Sequence, residues 1–112
     1  MHIGVLSLPS NFHCEKWARA LARAGARVTV FSFEDGTLPD GVETVRLRPP
    51  FTFGGRYRYP SYYYTAEELE QQLRWRGVQV LHPLHLTPFG SWAVWTGFRP
   101  IIAAAMGADV LE

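Results

Sequence analysis

Apolar residues fall into distinct patterns along this chain, and each pattern predicts an element. Residues 2–7 (His2-Ile3-Gly4-Val5-Leu6-Ser7) hold an apolar run without alternation, the signature of a strand covered on both faces. Pro9-Ser10-Asn11 reads as a turn. Residues 15–24 then repeat their apolar positions at helical spacing, with Trp17, Ala20, Leu21 and Ala24 on the face that lies on the sheet and Lys16, Arg19 and Arg23 in water. Gly25 supplies the left-handed residue that closes this helix, and residues 27–31 form a second apolar strand. A crossover of this length between two such strands requires a parallel connection, so the opening is a βαβ unit.

Glu34-Asp35-Gly36 and Leu38-Pro39-Asp40-Gly41 carry turn chemistry. Residues 42–48 alternate Val42, Thr44, Arg46 and Arg48 against Glu43, Val45 and Leu47, which suits a strand exposed on one side at a sheet edge, stopped by Pro49-Pro50. Residues 51–64 interleave aromatic rings with Arg56 and Arg58 around Gly54-Gly55. Such a loop either faces a ligand, stacking on bases or sugars, or folds its rings back over the sheet, and the second reading is the favoured one. Thr65-Ala66-Glu67-Glu68 has the form of a capping box, opening a helix with Leu69, Leu73 and Trp75 on its apolar side and Gly77 at its end. Residues 78–81 predict a fourth strand, residues 82–88 its loop, and Thr87-Pro88 the cap and first position of a helix through Trp92, Val94 and Trp95 to Gly97. Residues 100–105 are the last strand.

Strands alternating with helices in this way predict an α/β fold, a Rossmann-like open parallel sheet of about five strands with helices on both faces. Right-handed crossovers order it 3-2-1-4-5. The order reverses beside the first strand, and ligands of such sheets bind there, outside the carboxyl ends of the strands. The loops that meet at this place are residues 8–13 and 82–87.

Composition adds bounds to this picture. A chain of 112 residues is one small domain, residues 1–112, and its formal net charge of +1 gives no bulk attraction to nucleic acid or to an anionic membrane. Neither a charged, apolar leader nor an apolar run of the ~20 residues needed to cross a bilayer is present, and a cytoplasmic protein is expected. Cys14 is the sole cysteine, which excludes an internal disulfide; no signature of a catalytic cysteine surrounds it, so it is read as a packed or half-exposed thiol.

His13, His82 and His85 converge at the switch point in the expected topology. Three histidines can bind zinc, but a catalytic zinc site wants ligands held by regular structure and supporting carboxylates. A polar rim that hydrogen-bonds a sugar hydroxyl or a phosphate suits the place better, with Ser10 and Asn11 beside His13. The loop after the first strand, Leu8-Pro9-Ser10-Asn11, contains no glycine-rich phosphate motif.

The order of these segments resembles the opening of family 4 glycosyltransferases of the GT-B type. Trp17-Ala18-Arg19-Ala20-Leu21-Ala22-Arg23-Ala24-Gly25 followed by Arg27-Val28-Thr29-Val30 is similar to their first helix and second strand. Residues 40–47, the Val78-Gln79-Val80-Leu81-His82-Pro83-Leu84-His85 strand end, and Gly107-Ala108-Asp109-Val110-Leu111 match further segments in the right order. The resemblance implies the acceptor-side part of such an enzyme, which transfers a sugar from a nucleotide-sugar donor to a sugar or lipid-linked acceptor. It implies acceptor contacts from Ser10, Asn11, His13, His82, His85 and Asp109, no cofactor in this chain, and a donor held by a carboxyl-terminal domain not found before Glu112. Many relatives place a histidine where Met106 stands, so that catalytic role is not carried over and the chain alone is expected to be inactive. The alternative is a non-enzymatic α/β module acting through a partner chain or itself. A homodimer is expected, joined through the uncharged strand at residues 100–106 and the nearby Trp92 and Trp95.

Overall fold

The computed structural model describes residues 1–38, 41–49 and 59–103. Strand β1 (His2–Leu6) is interior, and β2 (Arg27–Ser32), β3 (Glu43–Arg46) and β4 (Val80–Pro83) complete a sheet of order β3-β2-β1-β4. Every pairing is parallel, with Leu6 opposite Phe31 on one side and Pro83 on the other. A single parallel bridge, Leu81 to Ile101, sets the chain beyond β4 where a fifth strand is expected. The predicted order and the interior place of β1 therefore hold, and Asp109 and Met106 lie outside the described residues.

Alternation along the strands divides the core into two layers. Leu6, Phe31 and Leu81 point to the face covered by helices α2 (Tyr59–Trp75) and α3 (Ser91–Thr96), where they meet Leu69, Leu73, Trp92 and Ala93. Val5, Val28 and Val30 point to the opposite face, against Cys14 and Ala18 of helix α1 (Phe12–Arg23). Helices thus cover both faces. Gly4 on β1 is the point of closest approach: a Cβ there would stand 3.1 Å from Leu73 Cδ2, 3.1 Å from Val78 Cγ1 and 3.3 Å from Phe31 Cε2.

Helix α1 departs from the sequence expectation in its start and in the stripe it buries. Asn11 caps it, its Oδ1 accepting from the His13 amide at 2.8 Å, so the helix begins before residue 15. Cys14 and Ala18 are its buried residues and Leu21 and Ala22 pack beside them, whereas Trp17 is 39% exposed and Ala20 and Ala24 also face water. Small residues let the helix axis come close to a two-sided sheet, and a tryptophan on that stripe would hold it away. Its end is as expected: Gly25 has φ +97°, and Ala26 N donates to Leu21 O while Gly25 N donates to Ala22 O.

Helix α2 begins at Tyr59, six residues ahead of the capping-box signal. Pro60 is tolerated there because the first turn has amides without intrahelical acceptors. Tyr62, Ala66, Leu69 and Leu73 form the buried stripe, and Thr65 lies within the helix, its hydroxyl donating to the Ser61 carbonyl at 2.9 Å. Trp75 is 78% exposed rather than part of the apolar side. Of the aromatic stretch, Tyr62 folds into the core while Tyr63 and Tyr64 face water, and residues 50–58 lie outside the described residues. The last helix also opens differently. Instead of a Thr87 cap, a π-helical turn (Leu86–Gly90) leads into α3, closed by the Gly90 amide donating to the His85 carbonyl at 2.8 Å. Trp92 is fully buried, against the expectation that it joins an exposed patch with Trp95.

Candidate functional site

Because all strands run parallel, the carboxyl ends of β1, β2 and β4 share one edge, and the connections leaving them meet there. Crossing from the β3-β2-β1 direction to β4 reverses the strand order beside β1. The β1 connection folds tightly over this edge, with the Asn11 amide donating to the Leu8 carbonyl at 2.9 Å. Ser10 then reaches the end of β2, where its amide and its hydroxyl both donate to Glu34 Oε1, at 3.0 and 2.6 Å. Pro9 rests on Gly36 so closely that a Cβ at residue 36 would lie 2.5 Å from Pro9 Cβ. Glycine at that place is a packing requirement.

Beneath this loop sits a buried polar pair. Ser7 is 1% exposed and its hydroxyl has no nitrogen or oxygen partner among the described residues; it hydrogen-bonds with the Cys14 thiol. Burial pushes that thiol up to about 11, and the carboxylates of Glu34 and Glu15 press the same way. Cys14 is therefore a packed thiol, as the sequence suggests, and its burial disfavours the thiolate.

The β4 side is built from His82 and His85. His82 lies on the α1-facing side of β4, its ring meeting Trp17 edge-on with centroids 5.8 Å apart and its Nδ1 on the Ile102 carbonyl. Trp17 is thus positioned by the rim, not by the core. His85 is half-buried and tilts against Phe89 at 6.4 Å, while its carbonyl anchors the π-helical turn. Next to it, Pro83, Gly90, Ser91, Trp95 and Ile101 line a cavity of about 360 Å³. His13 stands on the exposed start of α1, edge-on to Phe12 at 5.8 Å.

The structure therefore brings Ser10 to Glu34, uses Asn11 as a helix cap, and sets His82 against Trp17. No hydrogen bond or ring contact among the described residues joins His13 to His82 or His85, and no group of three or more His, Cys, Asp or Glu among them gathers as for a metal ion. Asp109 lies outside the described residues. Two members of this edge are absent from the sequence expectation, Glu34 and the rim role of Trp17. For Glu34 the only signal is its place, an acidic residue two positions past the end of β2, at the carboxyl edge of the sheet.

Comparison with known proteins agrees with this geometry. The family model for Glycosyltransferase Family 4 matches residues 10–104. Among solved structures, UGT73P12 of Glycyrrhiza uralensis, determined with glycyrrhetinic acid 3-O-monoglucuronide, superposes with a TM-score of 0.66 at 16% identity. The alignment covers 96% of this chain and 28% of that one, so the chain spans little more than a quarter of that structure's length. No curated protein matches the chain. No helix among the described residues is long and apolar enough to cross a membrane. With the family model matching from the β1 connection to the chain beyond β4, on a parallel sheet shared with a GT-B glycosyltransferase, this chain belongs to Glycosyltransferase Family 4.

Proposed function

We propose that the chain is the acceptor-binding front part of a cytoplasmic family 4 glycosyltransferase, and that the nucleotide-sugar donor is held by a second domain of the full enzyme. The observation that carries this reading is the meeting of the β1 connection and the β4 end at the strand-order reversal, the Leu84 amide donating to the Leu6 carbonyl, with Ser10 held on Glu34 and His82 meeting Trp17 at the same edge of the sheet. Ser10, Asn11, His13, His82, His85 and Asp109 contact a sugar or lipid-linked acceptor in this reading. It takes no donor alone, since Leu8-Pro9-Ser10-Asn11 offers no glycine-rich phosphate cradle. Incubation with UDP- and GDP-sugars is expected to give no hydrolysis or transfer, and acceptor-type sugars are expected to shift amide resonances of residues 7–13 and 82–87. Turnover that an edge mutation abolishes, or ligand shifts confined to the amino-terminal end of the sheet around His2 and Glu43, overturns the reading.

A second reading, a module that associates with a second copy of itself, is favoured by one observation. Tyr63 and Val94 are 59 and 67% exposed, and Tyr63 meets the part-exposed Trp95 ring at 5.6 Å, so apolar surface runs from α2 onto α3. Light scattering over a dilution series tests it, and a strict monomer at tens of micromolar sinks it.

A further inference from the structure

We infer that Glu34 and Ser10 form a hydroxyl-reading subsite at the ends of β1 and β2, one that takes the vicinal diol of a neutral sugar and rejects phosphate. The inference rests on the acceptor-binding reading and names which chemistry that site accepts at its β2 side. Glu34 Oε1 already holds two donors from a single residue, the Ser10 amide and hydroxyl, an arrangement equivalent to two adjacent donors of a ligand. No described residue donates to Oε2, and no salt bridge to a described residue neutralises Glu34. Arg46, on neighbouring β3, is engaged by Asp35 at 2.7 Å and by the Phe33 carbonyl at 3.1 Å.

An un-neutralised, half-buried carboxylate is an acceptor only. Sugar hydroxyls can donate to it, and charge-assisted hydrogen bonds of this kind are the strong ones. A phosphate brings acceptor oxygens and negative charge to the same place and is repelled. The start of α1 would ordinarily favour an anion. Here Asn11 already occupies the His13 amide and Glu15 lies in the first turn, so the favourable end of the helix already faces a carboxylate.

The test is an amide-resonance titration of the full chain with methyl α-glucoside, methyl α-mannoside, myo-inositol, uridine and inorganic pyrophosphate. At least one neutral polyol is expected to shift residues 7–11 and 34–36, with pyrophosphate silent there. Glu34→Ala is expected to weaken that binding about tenfold or more, and Glu34→Gln, which keeps the shape and removes the charge, severalfold. Pyrophosphate shifting these residues, polyol binding indifferent to both variants, or no polyol shift at all overturns the subsite. A response to uridine alone overturns its assignment to an acceptor sugar. Shifts confined to residues 82–87 overturn the subsite while leaving the acceptor-binding reading in place.

Discussion

Replacing Gly4 by alanine tests how closely α2 is seated on the sheet. The added Cβ meets Leu73 Cδ2 and Val78 Cγ1 at 3.1 Å and Phe31 Cε2 at 3.3 Å, all on buried residues. Retreat is blocked, because the Val78 amide donates to the Leu73 carbonyl at 3.0 Å and so ties the two neighbours into the end of α2. Overpacking of a filled core costs about 1–3 kcal/mol, and the reduced freedom of alanine in the unfolded chain returns about 0.4–1 kcal/mol. The net expectation is a loss of about 1–2 kcal/mol, which lowers Tm by roughly 5–10 °C for a domain near this size. Urea unfolding followed by tryptophan fluorescence measures it, and the midpoint is expected to fall with the slope unchanged. Val78→Ala removes one of the clashing atoms, so Gly4→Ala in that background is expected to cost less by at least about 0.5 kcal/mol. A midpoint equal to or above that of the parent chain, or strictly additive costs in the double variant, refutes the close-seating argument.

His2 is held between the Arg76 carbonyl at 3.1 Å and the Thr29 hydroxyl at 2.7 Å, and burial, with Arg27 adding to it, lowers its pKa below 6.5. The neutral ring is the form the fold favours, so its stabilisation is complete above pH 6.5 and is lost as pH falls through that value toward the lower folded pKa; His2→Gln is expected to flatten stability against pH in this window. With its thiol at about 11 against an ordinary 9.0, Cys14 is expected to react with a disulfide reagent at pH 8 about 100-fold more slowly than a free cysteine from ionisation alone, and fast labelling of the native chain contradicts its burial. Tyr62→Ala is expected to cost about 3 kcal/mol in urea unfolding, whereas Tyr63→Ala and Tyr64→Ala stay within about 0.5 kcal/mol, and equal costs at the three positions contradict the register of α2.

Strand positions and their order were legible from local pattern, because a strand buried on both faces leaves an unalternating apolar run and a right-handed crossover leaves few ways to arrange it. Helix ends at Gly25 and Gly77 were legible for the same local reason, each glycine having a positive φ that other residues rarely adopt. The family was readable because its segments keep their order over residues 10–104. Which stripe of α1 is buried was not readable. Helical spacing pointed to the Trp17-Ala20-Leu21-Ala24 stripe, whereas Cys14 and Ala18 are buried with Leu21 beside them, a choice that fell to the distance between helix and sheet, which small side chains allow to close. The same holds for the start of α2, where Thr65 to Glu68 carries a sound local signal and the burial of Tyr62 against Phe33 and Trp92 extends the helix past it. The site divides in the same way. Parallel connectivity alone implies that the ends of β1 and β4 meet, but the hydrogen bonds of Ser10 to Glu34 and the edge-on contact of Trp17 with His82 join residues far apart in the chain, and such contacts exist only once the strands are in register.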